Sequence, residues 1–254
     1  MQIAVISDIH SNIEALEAVF EDIGRFNLDG VWCLGDIIGY GADPLPCLDI
    51  VYQRCSLTIA GNHDYAAVGL MSTERFNPFA RRSAEWTSGQ LRSEDVSFIR
   101  SLPLYAGQET LLAVHGTMDD PVKFNYMATH SAAQRNFDKI GAYTASILVC
   151  GHTHNPIVFL DTSPMRYSTD DVVFLEEGVS AIVNAGSVGQ PRDGDPRSCY
   201  CIVDTEKRLI RYRRVEYDMD AARLKVEALF PDAKKDEPLP DTGDKQTPPE
   251  TENS

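Results

Sequence analysis

No stretch of about 18 consecutive apolar residues occurs in this 254-residue sequence, so no membrane-spanning helix is expected. Basic residues are scarce. Lys and Arg total 23 against 38 Asp and Glu, a formal net charge of −15. Long nucleic acid is therefore disfavoured as the main ligand, because such binding is driven by basic patches. A small anionic substrate stays open, since bound divalent metals reverse the local field. The opening apolar run, Ile3 to Ile6, is too short for a signal-peptide core and meets Asp8 and His10 at once. It reads as a first strand. The six cysteines form no C-x-x-C pair and no zinc-knuckle spacing. Cys33 and Cys150 fall inside apolar runs as small core residues. With no export signal, the expected compartment is the reducing cytoplasm, away from membranes.

What the sequence has is a repeated event, in which a short apolar run leads into polar residues of unusual type. Ile3 to Ile6 leads into Asp8-Ile9-His10, and Val31 to Leu34 into Gly35-Asp36. Leu57 to Ala60 precedes Gly61-Asn62-His63-Asp64, and Leu111 to Val114 precedes His115-Gly116. Ile147 to Cys150 meets Gly151-His152-Thr153-His154, and Ala181 to Val183 meets Asn184-Ala185-Gly186-Ser187. Apolar runs of this length bounded by Gly or Asp suit buried strands. Helices alternate with the early ones. Ser11-Asn12-Ile13-Glu14 resembles a capping box ahead of an apolar face of Ile13, Leu16, Phe20 and Ile23. Asp43-Pro44 opens a second helix. In such α/β layouts ligands gather beyond the carboxyl ends of strands, where every polar cluster falls.

The spacing predicts one domain over residues 1–231. Within it, 65–110 reads as a helical cap insertion, with one helix from Asn77-Pro78 and another near Ser93 to Ser101. Residues 155–217 read as short strands separated by turns, a second sheet packed on the first. Residues 232–254, acidic and Pro-rich without apolar periodicity, read as a disordered tail.

Of six histidines, His10, His63, His115, His152 and His154 occupy the strand-end clusters, and only His130 stands apart. Imidazole with carboxylate and amide oxygen suits manganese, iron, cobalt, nickel or zinc. The ordered series Asp8-x-His10, Gly35-Asp36, Gly61-Asn62-His63-Asp64, His115-Gly116 and Gly151-His152-x-His154 resembles the five-part signature of calcineurin-like metallophosphoesterases. The segments around Gly35 to Gly41 and Asn184 to Arg192 resemble a bacterial, phosphodiesterase-like branch of that family. The resemblance implies an α/β fold, a two-layered β core (a β-sandwich) flanked by α-helices. It implies two divalent metals, manganese first, with iron, nickel, cobalt or zinc as alternatives. Asp8, His10 and His154 would hold one ion; Asn62, His115 and His152 would hold the other; Asp36 would bridge. It further implies hydrolysis by a metal-bridging hydroxide, with His63 protonating the leaving group.

Two positions depart from the protein phosphatases of the family, which carry Asp and Arg where Gly39 and Tyr40 stand here. The first loss leaves the orientation of His63 to Asp64 or a backbone carbonyl. The second removes a bidentate phosphate clamp. Tyr40 reads as a packed aromatic or a substrate contact, and Arg192 as a phosphate partner or a surface pair with Asp193 or Asp195. Asn12 reads as a helix cap. The Phe79 and Trp86 stripe reads as packing, and Arg211 to Arg214 as a solvated face. The expected substrate is a small phosphodiester, phosphomonoester or nucleotide. A dinucleoside polyphosphate hydrolase and a protein phosphatase are the alternatives, with a non-catalytic protein-binding scaffold as the rival of another class. Homo-oligomerisation stays open.

Overall fold

The computed structural model describes residues 1–231, so the tail at 232–254 lies outside the described residues. The first apolar run becomes β1 (Gln2–Ile6). Ile3 and Val5 join one apolar cluster while Ala4 and Ile6 join another. Both faces of the strand are covered, which is why the run holds no polar residue. Along the chain follow α1 (Ile13–Ile23), β2 (Gly30–Cys33), α2 (Pro44–Arg54), β3 (Leu57–Thr58), α3 (Asn62–Ala67), α4 (Pro78–Ser88) and α5 (Ser93–Ser101). Then come β4 (Tyr105–Gln108), β5 (Leu111–Val114), α6 (His130–Ile140), β6 (Ile147–Cys150), β7 (Ile157–Leu160), β8 (Arg166–Ser168) and β9 (Val172–Phe174). The described chain closes with β10 (Ala181–Asn184), β11 (Ser198–Asp204), β12 (Leu209–Val215) and α7 (Met219–Leu229).

Two six-stranded mixed sheets result, in the orders β3-β2-β1-β11-β12-β9 and β4-β5-β6-β10-β7-β8. Strands β1, β2 and β3 run parallel, as do β5, β6 and β10, and the remaining pairings are antiparallel. The sheets pack through Ile3, Val5, Trp32, Leu34, Val149 and Val183. Leu16, Val19 and Phe20 of α1 cover the outer face of the first sheet, and Phe137 and Ile140 of α6 that of the second. The expected two-layered β core flanked by helices is thus observed.

The allocation of strands differs from expectation. Residues 155–217 do not form the second sheet by themselves: β9, β11 and β12 join the first, with β1 in register Ile3↔Val203. The second sheet begins at β4 and draws β5 and β6 from the earlier half. The reason is burial on both faces. Along β11, Cys199, Cys201 and Val203 face the space between sheets while Tyr200 and Ile202 face the helices, so the pattern carries no sheet label.

Helix starts follow their caps. Asn12, rather than Ser11, caps α1, its Oδ1 accepting from the Ala15 amide at 3.1 Å. Pro44 opens α2, and Asn77 caps α4 through the Ala80 amide at 2.7 Å. Both helices expected within 65–110 are present, but Ile99 of α5 sinks into the same apolar cluster as Leu16 and Leu48. Among the described residues no helix is long and apolar enough to cross a membrane.

Candidate metal centre

Both sheets point the carboxyl ends of their parallel strands at one edge. Asp8 and His10 follow β1, Asp36 follows β2, His115 follows β5, and His152 and His154 follow β6. Asn62 is the first residue of α3, just beyond β3. Asp8, His10, Asp36, His152 and His154 all hold left-handed backbone, with φ of 54°, 51°, 50°, 67° and 60°. Each such residue costs on the order of 1–3 kcal/mol and persists only where its surroundings dictate it. Here a weave of main-chain bonds does so. The amides of Asp8 and His10 donate to the carbonyls of Gly35 and Asp36 at 3.1 and 3.0 Å. The His152 amide donates to the Asp8 carboxylate at 3.0 Å, and the His63 amide to Asp36 Oδ1 at 2.8 Å. A Cβ on Gly61 would run into the Asp36 carboxylate, so only glycine lets these two turns cross.

The ring tautomers follow from the partners. Carbonyl oxygens only accept, so His115 Nδ1–H donates to Leu34 O at 2.7 Å and His154 Nδ1–H to Gln190 O at 2.6 Å. His10 Nδ1–H donates to Ile38 O at 3.3 Å. Each ring then turns its Nε2 lone pair inward, as a metal-binding imidazole does. His10 Nε2 and His154 Nε2 lie 3.2 Å apart, two facing lone pairs that repel unless a cation sits against both. Asn62 Oδ1 is buried with no hydrogen-bond partner, which in a buried site calls for an electrophile, and His115 Nε2 lies 3.3 Å from Asp36 Oδ2.

The donors gather in overlapping groups, each within 4.8 Å: Asp8, His10 and His154; Asp36, His115 and His152; and His10, Asp36 and His63. The first two contain the ligands expected for each ion apart from Asn62 and, in the first group, the bridging Asp36, which lies in the other two. His63 is therefore close enough to touch the same centre. Burial pushes the Asp8 carboxyl up, but the His154 and His115 rings beside it hold it below the usual carboxylate range. In Asp36 burial is likewise overcome, by His115 and His63. Burial opposes protonation of His115, yet Asp36 raises it to about 9. For His63 and His152 burial prevails, lowering them to about 4 and about 3. Buried anions ringed by mostly neutral imidazoles, with free lone pairs converging, form a donor set that fits divalent cations.

The other expected residues sort as follows. Tyr40 packs against His10 and His63 at ring-centroid distances of 4.9 and 4.7 Å. The Arg192 guanidinium lies 6.0 Å from the Tyr40 ring and donates to Gln190 Oε1 at 2.8 Å. It does not take up Asp193 or Asp195, because Arg214 and Arg197 engage those carboxylates. Asp64 does not orient His63 either. Its carboxylate accepts from the amides of Ile37, Ile38 and Gly61 at 2.9, 3.3 and 2.9 Å and so clamps the Asp36 loop to α3. Asn12 caps its helix, and His130 sits at the start of α6, away from the cluster. The Phe79 and Trp86 rings pack on Phe230. Arg211 to Arg214 is not simply solvated, since Arg213 pairs with buried Asp22 and Arg214 with Asp193.

Two aromatic neighbours escape sequence reasoning. Tyr126 stacks flat on His152, with centroids 4.2 Å apart and planes 10° from parallel, and stays half exposed. Phe76 lies 4.6 Å from His63. Both come from segments between regular elements, where no periodicity marks a ring's destination. The only signal is an aromatic near a helix start: Phe76 directly precedes the Asn77 cap.

A two-sheet α/β core that gathers imidazole and carboxylate donors at one edge is the architecture of a metallophosphoesterase. The calcineurin-like phosphoesterase superfamily domain matches residues 1–208, and this chain belongs to that superfamily. It is 36% identical over 228 residues to an uncharacterised protein of Methanocaldococcus jannaschii, covering 88% of this chain and 91% of that one. The crystal structure of a metallophosphoesterase from Sphaerobacter thermophilus superposes with a TM-score of 0.78 at 34% identity, covering 90% of this chain and 93% of the other. A hypothetical protein from Pyrococcus horikoshii shares the fold, with a TM-score of 0.69 at 17% identity and 95% of each chain covered.

Proposed function

We propose that this protein is a cytoplasmic, dinuclear metal-dependent hydrolase of small phosphodiesters or phosphomonoesters, nucleotides among them. The observation that carries the reading is the chain of buried donor groups, Asp8–His10–His154 linked through His10 and Asp36 to Asp36–His115–His152, with three ring tautomers locked so that Nε2 faces inward. Asp8, His10 and His154 would hold one ion, Asn62, His115 and His152 the other, and Asp36 both. The mixed nitrogen and oxygen set accepts manganese, the ion expected first, as well as iron, cobalt, nickel and zinc. When bound, such a pair supplies a water of lowered pKa and a Lewis-acid surface for phosphoryl oxygens.

The chain's own residues do the rest. Asp64 and the crossing turns hold Asp36 still, so that the donors need no rearrangement during turnover. His63 gives a proton to the leaving-group oxygen. Burial keeps its ring neutral in the metal-free chain. Arg192, beside Tyr40, supplies positive charge at the rim of an otherwise acidic protein. Gly39 and Tyr40, standing where protein phosphatases of the family carry Asp and Arg, favour small substrates over phosphoproteins.

The reading is tested by stripping metal and assaying phosphate esters with Mn²⁺, Ni²⁺, Co²⁺, Zn²⁺ and Mg²⁺. Two ions per chain and metal-dependent turnover are expected. A metal-loaded chain inert towards every ester would make it a scaffold. The role of His63 is read from leaving groups. His63→Ala should keep both ions and slow alkyl esters by about 10²–10⁴-fold while sparing nitrophenyl esters, whose oxygen needs no proton. Loss of metal, or equal slowing of both substrates, would make His63 a ligand or a structural residue.

A further inference from the structure

No hydrogen bond to Nδ1 orients the buried His63 ring. Its Nδ1 lies buried without a hydrogen-bond partner. Gly39 occupies the position from which a carboxylate reaches this histidine in the protein phosphatases, and it has closed the space as well. A Cβ there would stand 2.6 Å from His63 Nδ1, and the residue holds φ of +92°. The imidazole therefore rests directly on glycine backbone. Three rings pack around it: Tyr40 at 4.7 Å with planes 40° apart, Phe76 at 4.6 Å with planes 38° apart, and the edge of His10 at 5.0 Å and 81°.

We propose that Phe76, brought in by the segment between α3 and α4, is a positioning residue that holds the His63 ring against Tyr40 and Gly39. An aromatic clamp thereby takes the place of the orienting hydrogen bond. The proposal rests on the reading of His63 as proton donor. Tyr40 comes from the loop that also carries Asp36, so it moves with the metal ligands. Phe76 comes from outside that loop, and its own placement is well determined. It precedes Asn77, whose side chain caps α4, and its amide donates to Thr73 O at 3.0 Å. The Arg81 guanidinium, one turn into α4, donates to Thr73 O and Glu74 O at 3.2 and 2.9 Å and ties the segment to the helix. Ring–ring contacts in this distance range favour tilted or edge-on packing, and such pairs hold orientation as well as area. A proton donor swung by about 1 Å loses much of its effect.

The experiment uses the metal-loaded full chain and compares Phe76→Leu, Phe76→Tyr and His63→Ala on an alkyl and a nitrophenyl phosphodiester. Metal content and melting temperature serve as controls. Phe76→Leu keeps apolar bulk and loses the flat ring. It should keep both ions and slow the alkyl ester about tenfold or more, leaving the nitrophenyl ester within about twofold. Phe76→Tyr should restore the alkyl rate, and adding Phe76→Leu to His63→Ala should change nothing further. If His63→Ala shows the leaving-group split and Phe76→Leu does not, the clamp is overturned while the proton-donor reading stands. Equal slowing of both esters by Phe76→Leu, or further slowing in the His63→Ala background, also overturns it. Absence of the split in His63→Ala itself overturns both.

Discussion

A buried imidazole whose Nδ1–H is committed to a carbonyl has one lone pair left to give, and at this site three rings are so committed. The candidate donors are legible in the sequence for another reason: each follows a strand, and each strand writes an apolar run directly before it. The carbonyls of Leu34, Ile38 and Gln190 are not legible, since any residue type presents the same oxygen. Tyr126 and Phe76 are hidden for a related reason, being placed by backbone turns and not by a residue pattern. Asp36 lies in two of the donor groups, so Asp36→Asn should drop bound metal below two per chain and abolish most turnover with every substrate. Elemental analysis beside one assay checks this. Asp64 acts at one remove. Three amides converge on its carboxylate, and an amide side chain turns one donor against them. Asp64→Asn should cost about 1–3 kcal/mol and weaken metal binding, with the ratio of alkyl to nitrophenyl rates unchanged. Denaturation and metal titration are the measurements.

Among elements, the helix starts are the most legible feature, because Asn12 and Asn77 announce theirs by capping and Pro44 announces α2 by opening its first turn. Sheet membership is the least legible. A strand covered on both faces is apolar throughout, and only its partners, distant in sequence, decide where it lies. One such decision is made by Asp22 on the inner face of α1. Its carboxylate accepts from the Tyr200 hydroxyl of β11 at 2.8 Å and from Arg213 of β12 at 2.9 and 3.0 Å. Burial pushes the Asp22 carboxyl up, but Arg213 and Tyr200 hold it below the ordinary range. A carboxyl depressed in the folded state stabilises above its unfolded pKa, near 3.9, and loses that contribution as pH falls through the folded value. Arg213 keeps partial access to water, so Asp22→Asn should cost only about 1–2 kcal/mol at pH 7. The difference from the native chain should be full at neutral pH, shrink below about pH 5 and fade in stronger acid. Urea midpoints at two pH values measure it.

For the whole molecule, the superposed sheets and the shared edge where their parallel strands end are the design, and the far end of the described chain also bears on it. Phe230 is 6% exposed and meets Phe79 and Trp86 edge-on, while Phe79 in turn touches Tyr40. Truncation after Ala233 should therefore leave melting temperature and turnover nearly unchanged. Phe230→Ala should cost about 3 kcal/mol, the usual loss for a buried aromatic, and lower the melting temperature several degrees. The pairing of β1 with β11 has a consequence in time. Gln2 sits opposite Asp204, and the Asp8 carbonyl accepts from Ser187 Oγ and the Gly189 amide. At about 5–20 residues per second, a ribosome needs on the order of ten to forty seconds to deliver those partners after β1 has emerged. Through that interval β1 can pair with β2 but keeps its other edge open, and the candidate donors Asp8 and His10 wait for the partners that fix their turn. The order of synthesis thus makes completion of the donor cluster a late event, set by the segments that follow β10.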